Sequence, residues 1–215
     1  ELQSWSLKQG LMFLSFEPLE WEVEDMLLKQ KNVKKWFWKK FIEPHTRIIH
    51  LDSSYDIILA NMHEKGRYNI RLGEKRGVIV SNNPFSEENI DSFYDLLKDT
   101  AKRDGFAINS RSTFESLVSL QSDTIEVRLF EAMHPLYAHS IASALYIACG
   151  DTAYYYYGAS AGDSEAKKLM ASFVIQWAMI RYAHETGRKV YDFLGIAPED
   201  NKKHHLAGVT FFKSR

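Results

Sequence analysis

The sequence predicts a mixed α/β fold, and three observations support this prediction. Apolar segments of strand length recur along the chain, and Ile125–Phe130 alternates in the way a half-buried strand does. Apolar residues at helical spacing lie between such segments, over Ser86–Arg103 and again from Asp163 to Glu185. The order in the second half of the chain is strand, strand, strand, long helix, strand, strand, which indicates a mixed α/β domain.

The composition is that of a globular protein. The 215 residues include 27 Lys+Arg and 28 Asp+Glu, and 45% are hydrophobic. This excludes a disordered chain and a wholesale polyanion binder, although a local basic patch is compatible with it. The single cysteine, Cys149, excludes an intrachain disulfide and fits a reducing compartment. Because neither a membrane helix nor a signal peptide is recognisable, we expect a cytoplasmic protein.

The first half of the chain is predicted to contain short strands and three helices. The strands are Leu11–Phe16, Arg47–Leu51 and Gly77–Val80. The first helix begins after the potential N-caps Asp52–Ser54 and runs through Met62. The second runs from Ser86 to about Arg103, and the third begins at Arg111 and continues past Phe114. Gly105 can end the second helix, and Asn82–Pro84 is predicted to form a turn.

The second half is dominated by strands around one long helix. The predicted strands are Ile125–Phe130, Ile141–Ala148, Ala153–Tyr157, Val190–Phe193 and Val209–Phe212. Asp163 or Ser164 is expected to cap the helix, which runs to about Glu185 and stops at Gly187. The predicted fold therefore ends on a strand.

The segment Lys29–Lys40 has an unusual composition, because it interleaves lysines with Trp36, Phe37 and Trp38. Aromatic rings stack on bases and lysines pair with phosphates, so the segment is compatible with a patch that binds nucleic acid or phosphate. It is equally compatible with a solvated amphipathic helix. The residues by themselves leave both interpretations open.

The common catalytic motifs are absent, including GxSxG, HExxH, Walker A and GxGxxG. Cys149 lies in an apolar segment and is expected to be a small buried hydrophobe. No cysteine or carboxylate cluster accompanies His204 and His205, so we expect no metal there. Lys213, directly after Phe211 and Phe212, is a cation at the end of an apolar segment, which is the usual way for a strand to reach solvent.

Four consecutive tyrosines, Tyr154–Tyr157, are predicted to lie on a strand. Alternate side chains of a strand point to opposite faces, so Tyr155 and Tyr157 should share one face. One face can pack on the long helix while the other lines a cleft, although a purely structural strand fits as well. The small residues of Gly158–Gly162 follow directly and would let a ligand approach the backbone at a helix N-terminus.

Several short stretches occur together in an order that resembles the FemABX family of non-ribosomal peptidyltransferases. These stretches are Leu2–Ser4 with Trp5 and Lys8, Lys65–Arg71 leading to Gly77 and Val78, Tyr154–Ser160, Leu169 and Met170 with Gln176 and Trp177, Tyr191–Ile196, and Phe211–Lys213. Each stretch alone is a weak signal. Their shared order along the whole chain is fairly specific for the family.

The resemblance implies two domains of the GNAT acyltransferase type, with mixed sheets flanked by helices. The first would span residues 1–110, completed by the C-terminal end, and the second residues 111–215. It also implies transfer of an amino acid from aminoacyl-tRNA to the stem-peptide amine of a peptidoglycan precursor, either UDP-MurNAc-pentapeptide or a lipid-linked form. No cofactor and no metal are implied, and peripheral membrane association is compatible with a lipid-linked acceptor. Family members are longer, and they carry further segments where Gly10 meets Leu11 here.

Residue by residue, the resemblance also suggests a site. Lys8, Arg111, Tyr155 and Tyr157 fall where the family binds the precursor. Phe212 and Lys213 fall where it acts on the aminoacyl ester. The motif residues with a tRNA-binding or structural role are Arg67, Tyr68, Asn69, Arg71 and Asp192.

Aminolysis of an ester passes through a tetrahedral oxyanion, which a fixed cation stabilises. Lys213 is the candidate for that cation, and Phe212 beside it would exclude water. Two alternatives remain at this point. One is a Fem-like acyltransferase that acts on another amine, and the other is a non-catalytic Fem-like protein that binds precursor or RNA.

Overall fold

A computed structural model describes residues 4, 8, 10, 21–35, 43–198, 201 and 203–215. The chain forms two compact units, Glu1–Pro44 and His45–Arg215. The first unit contains helix α1 (Trp21–Leu28). The strand predicted at Leu11–Phe16 lies outside the described residues.

The lysine-rich segment is described only as far as Lys35. Residues 29–35 follow α1 as turns and coil, so an amphipathic helix is wrong for this part of the segment. Two of its lysines pair with carboxylates on α1, Lys29 with Asp25 at 2.5 Å and Lys35 with Glu24. Residues 36–40 lie outside the described part, and a nucleic-acid patch in this segment stays a prediction.

The second unit is a mixed α/β structure, which confirms the predicted fold class. Its strands are β1 (Thr46–His50), β2 (Ile79–Pro84), β3 (Ile125–Met133), β4 (Ala142–Cys149), β5 (Thr152–Ser160) and β6 (Val190–Gly195). Its helices are α2 (Tyr55–Asn61), α3 (Glu64–Lys75), α4 (Ile90–Asp104), α5 (Arg111–Ser119), α6 (Ser164–Lys168), α7 (Ala171–Glu185) and α8 (Ala207–Lys213). Within the described residues, no helix is long and apolar enough to cross a bilayer.

The six strands form one sheet in the order β1-β6-β5-β4-β3-β2. All neighbouring pairs are antiparallel except β5 and β6, which run parallel because helices α6 and α7 form the crossover between them. Strands from both sides of residue 110 enter this sheet. The predicted boundary between 1–110 and 111–215 stays a prediction.

Each face of the sheet carries its own core. On β3, Val127 and Leu129 belong to one buried cluster together with residues of α4 and α5. Phe130 and Ala132 point to the opposite face and join a larger cluster with residues of α3 and α7. This alternation follows the side-chain period of two in a strand.

The chain end differs from the prediction. Residues Val209–Phe212 belong to helix α8 rather than to a last strand. A short apolar run does not distinguish a strand from a helix by itself. Here the backbone makes helical hydrogen bonds, such as that from the Thr210 amide to the Leu206 carbonyl at 2.7 Å. The Thr210 hydroxyl also accepts a hydrogen bond from the Ala197 amide at 2.7 Å, which ties the helix to the chain that leaves β6.

Four further predictions are corrected. Cys149, which is expected to be a small buried hydrophobe, is exposed at the end of β4. Residues Asn82–Pro84 are not a turn but the end of β2, paired with β3 on the sheet edge, where proline is tolerated. The strand predicted to end at Tyr157 continues further, since β5 runs to Ser160. The long helix is two helices, because Met170 between them adopts a left-handed φ of 56°. Asp163 caps the first of them, as predicted, and accepts a hydrogen bond from the Ala166 amide at 2.8 Å.

Candidate active site

A bulge in β5 separates the two predicted site tyrosines. Tyr155 pairs with Tyr146 and Tyr157 pairs with Leu145, so Tyr156 is an extra residue in β5. Tyr155 therefore packs on the face of α3 and α7, and Tyr157 on the face of α4 and α5. The prediction that the two tyrosines share a face is wrong, because the bulge interrupts the alternation on which it depended.

Strands β5 and β6, which the structure describes throughout, pair only from Thr152 and Val190 to Tyr154 and Asp192. Beyond this point β6 has an irregularity of its own, since Thr46 pairs with Gly195 but Ile48 pairs with Asp192. Two residues of β6, Phe193 and Leu194, thus lie opposite the single residue Arg47 of β1. Leu194 has a φ of 58°. The site lies where these two parallel strands lose their pairing.

Lys213 lies across this gap. It is the last residue of α8, and its Nζ donates a hydrogen bond to the Gly195 carbonyl at 2.7 Å. The same Nζ lies 5.8 Å from the ring centroid of Tyr155 on β5. Burial lowers the pKa of Lys213 from 10.5 to about 8, and the nearby Asp192 carboxylate partly opposes this effect.

A cavity of about 490 Å³ opens beside Lys213. Its apolar wall is formed mainly by Ile58, Ile70, Phe173, Trp177, Ile180, Phe193 and Phe212. Phe212 packs edge-on against Phe173, with ring centroids 5.1 Å apart. The predicted pair of Phe212 and Lys213 thus faces a cavity with an aromatic wall, in which a cation is more effective than in water.

Gln176 of α7 is the buried polar residue of this wall. Its Oε1 accepts a hydrogen bond from the Tyr191 hydroxyl at 2.7 Å, which leaves its amide group to interact with Tyr155. Burial raises the pKa of Tyr155 to about 12, so its phenol stays protonated in neutral solution. In the sequence Gln176 belongs only to one of the stretches that resemble the family, and the structure adds its place in the cavity wall.

The stretch Lys65–Arg71 is a helix-packing element in α3. The buried residues of α3 have the spacing of one helix face, and they are Gly66, Asn69, Ile70 and Gly73. Tyr68 and Arg71 are exposed on the other side. A side chain at Gly73 would overlap Val174, since its Cβ would lie 2.5 Å from Cγ2 of that residue.

The Arg67 side chain caps the C-terminus of the preceding helix, α2. Its guanidinium donates hydrogen bonds to the carbonyls of Leu59, at 3.4 Å, of Ala60, at 3.0 Å, and of Met62. These carbonyls lie at the C-terminus of α2, where a cation complements the helix dipole. The contacts favour the structural interpretation of Arg67.

Two predicted precursor-binding residues lie apart from Lys213. Arg111, at the start of α5, is paired with Asp91 at 2.8 Å and with Glu115. Tyr157 lies on the same face of the sheet as α5, and its hydroxyl accepts a hydrogen bond from Asn109 at 2.9 Å. The bulge thus leaves Tyr155 with Lys213, while Tyr157 stays with the start of α5. Lys8 is an exposed residue of the first unit.

The comparison with known families gives a match over most of the chain. The FemAB family matches residues 45–139 and 120–215, which together cover the whole second unit. The chain therefore belongs to the FemAB family. This confirms the family predicted from the ordered short stretches.

Two relatives describe this similarity in more detail. The lipid II:glycine glycyltransferase of Staphylococcus aureus is 23% identical over 250 aligned residues, which cover 86% of this chain and 58% of that protein. The crystal structure of FemX matches with a TM-score of 0.69 and 21% identity, over 79% of this chain and 57% of FemX. The chain thus spans less than three fifths of either relative, and the structural match establishes the fold.

Proposed function

We propose that this protein transfers an amino acid from an activated ester to the stem-peptide amine of a peptidoglycan precursor. The observation that carries the proposal is the half-buried Lys213, which lies at the divergence of β5 and β6 beside an aromatic cavity. Membership of the FemAB family supports the reaction class. The activity for which the S. aureus relative is named favours a lipid-linked acceptor and glycine as the amino acid.

In this reaction the amine nitrogen attacks the ester carbonyl carbon, and a C–N bond forms while the carbonyl oxygen becomes an oxyanion. The Lys213 ammonium donates one hydrogen bond to Gly195, which fixes its position, and has two further N–H groups. One of these stabilises the oxyanion. The intermediate then collapses, the ester C–O bond breaks, and the alcohol leaves with a proton that the amine has lost.

The donor that we propose is aminoacyl-tRNA, whose terminal ester is the activated bond. The cavity supports a donor larger than an amino acid alone, because about 490 Å³ is within the range of pockets that hold drug-sized ligands. A lipid-linked acceptor would bring the protein to a membrane surface. Its cytoplasmic location and its peripheral membrane association stay predictions.

The test is the variant Lys213→Met, which keeps the length and the apolar part of the side chain. Transfer is measured with a charged tRNA pool and either the lipid-linked precursor or UDP-MurNAc-pentapeptide as acceptor. We expect kcat to fall by about 10²–10³, the usual effect of losing one oxyanion donor. Precursor affinity, measured by calorimetry, should stay within a few-fold.

The matched control is Lys168→Met, since Lys168 is an exposed lysine paired with Glu165 on α6. A Lys213→Met protein with near-normal turnover would exclude the role of Lys213. Absence of transfer by the unmodified protein with every aminoacyl-tRNA and both acceptors, together with retained precursor binding, would favour a non-catalytic binding protein.

A further inference from the structure

Strand β6 contains a backbone conformation that its sequence does not favour. Leu194 has a φ of 58°, in the left-handed region that residues other than glycine and asparagine avoid. It lies at the bulge in β6, directly before Gly195, whose carbonyl accepts the hydrogen bond from Lys213. Leucine in this conformation persists only where neighbouring contacts impose it.

The side chain of Asp192 makes hydrogen bonds at this turn. One of its carboxylate oxygens, Oδ1, accepts a hydrogen bond from the Leu194 amide at 2.7 Å. The same oxygen accepts a hydrogen bond from the Thr46 hydroxyl of β1. A single oxygen atom of Asp192 thus connects Thr46 on β1 with Leu194 at the bulge in β6.

We propose that Asp192 is a positioning residue for Lys213, and that it acts through the left-handed turn at Leu194 and the Gly195 carbonyl. The inference rests on the proposed function, in which Lys213 stabilises the oxyanion. Strand carbonyls lie in the plane of the sheet and point toward neighbouring strands, so a regular strand at Leu194 would turn the Gly195 carbonyl away from Lys213. Lys213 would then lose the acceptor that holds its ammonium group in the gap between β5 and β6.

Asp192 has a second effect that can be separated from the first. Its negative charge raises the pKa of Lys213, whereas burial lowers it. The other titratable or charged groups near Lys213 are Tyr155 on β5, Arg47 and His50 on β1, Asp52, His63 before α3, and Arg215 after α8. Among these neighbours, Asp192 is the charge that acts appreciably on the Lys213 ammonium.

Three variants separate geometry from charge. Asp192→Asn keeps an oxygen that accepts the two hydrogen bonds and removes the charge. Asp192→Ala removes both. In Asp192→Ala/Leu194→Gly, glycine adopts the left-handed conformation without strain, which restores the turn without the carboxylate.

We expect kcat to fall by up to about 10²-fold in Asp192→Ala, the effect of a misplaced group in a reaction that depends on orientation. The double variant should recover most of this loss, and Asp192→Asn should lose much less than Asp192→Ala. KM should change little in all three. In Asp192→Asn and in the double variant, the high-pH limb of the kcat profile should move to lower pH, because the ammonium loses its neighbouring charge.

A measurement without turnover separates this inference from the proposed function. The pKa of the Lys213 amine follows from the pH dependence of its acetylation by acetic anhydride, read by mass spectrometry. We expect about 8 in the unmodified protein and a lower value in Asp192→Asn. The control is Asp151→Ala, an exposed aspartate that pairs with Lys189 before β6 and lies away from the bulge.

Two kinetic outcomes would each overturn the inference. The first is a kcat of Asp192→Ala equal to that of the control. The second is a loss that Leu194→Gly does not recover although the double variant is folded, because Asp192 would then act on substrate or on stability directly. If Asp192→Ala does not fold, kcat is compared between Asp192→Asn and the double variant. A large loss of kcat in the double variant that Asp192→Asn does not share would then overturn the inference. If neither the unmodified protein nor any variant shows turnover, the amine pKa is still informative. An unchanged pKa of Lys213 in Asp192→Asn would refute the predicted effect of the Asp192 charge on Lys213.

Discussion

Lys213 should reduce the stability of the fold while it serves the proposed reaction. Its pKa is lowered from 10.5 to about 8 in the folded state. A difference of this size corresponds to about 3 kcal/mol at neutral pH. Replacement by methionine removes this cost and also removes the hydrogen bond to Gly195 at 2.7 Å, which contributes about 1.5–3 kcal/mol for a charged donor. We therefore expect Lys213→Met to match or exceed the unmodified protein in stability, by up to about 1.5 kcal/mol at pH 7.

The sign of the pH dependence follows from proton binding. Between pH 8 and 10.5 the unfolded chain holds a proton on Lys213 that the folded protein has released. The stability of the unmodified protein relative to Lys213→Met therefore rises with pH in this window. From pH 7 to pH 9 the difference between the two proteins should change by about 1 kcal/mol in favour of the unmodified protein.

The assay is urea unfolding of both proteins at pH 7 and pH 9, with the free energy of unfolding from linear extrapolation. Lys168→Met serves as the control, and its difference from the unmodified protein should be small at both values. A Lys213→Met protein that is less stable at pH 7, or a difference that is the same at both pH values, would contradict a buried Lys213 with a lowered pKa.

Three further substitutions test the packing around the site. Arg67→Ala should lower the free energy of unfolding by about 1–3 kcal/mol, because the last carbonyls of α2 lose their donor, whereas Arg67→Lys should cost less in the same urea titration. Gly73→Ala should lower the thermal midpoint by several degrees, since its Cβ would lie 2.5 Å from Val174; an unchanged midpoint would mean that α3 and α7 can separate freely. Gly158→Ala should displace the hydroxyl of Tyr155, which would lie 1.8 Å from the new Cβ, and Tyr155→Phe in the same chain should recover part of the lost stability.

The sequence was sufficient where local pattern and burial agree. Helices α4 and α5 and strands β3 and β6 lie near their predicted places because their apolar residues follow one period, and Gly105 ends α4 as expected. Strand β4 is predicted instead from an apolar run of strand length. The family was also accessible, since short stretches in a fixed order are a property of the chain alone.

Local pattern failed where a single residue changes the geometry. Tyr156 is an ordinary strand residue in the sequence, yet as a bulge it places Tyr155 and Tyr157 on opposite faces. Met170 breaks the predicted long helix through a left-handed φ that its residue type does not suggest. Residues Val209–Phe212 form part of a helix although they are predicted as a strand. The reason here is different, because a short apolar run carries no period long enough to identify a helix.

The sequence by itself therefore determined the fold class, the family and the identity of Lys213 as the candidate cation. Only the tertiary structure decided what surrounds that lysine: the divergence of β5 and β6, the Gly195 carbonyl, the ring of Tyr155 and the carboxylate of Asp192. The physical reason is that Lys213 and these groups come from three separate segments of the chain, which are β5, β6 and α8. Their meeting depends on two bulges and a left-handed leucine, which long-range contacts impose and local propensity opposes.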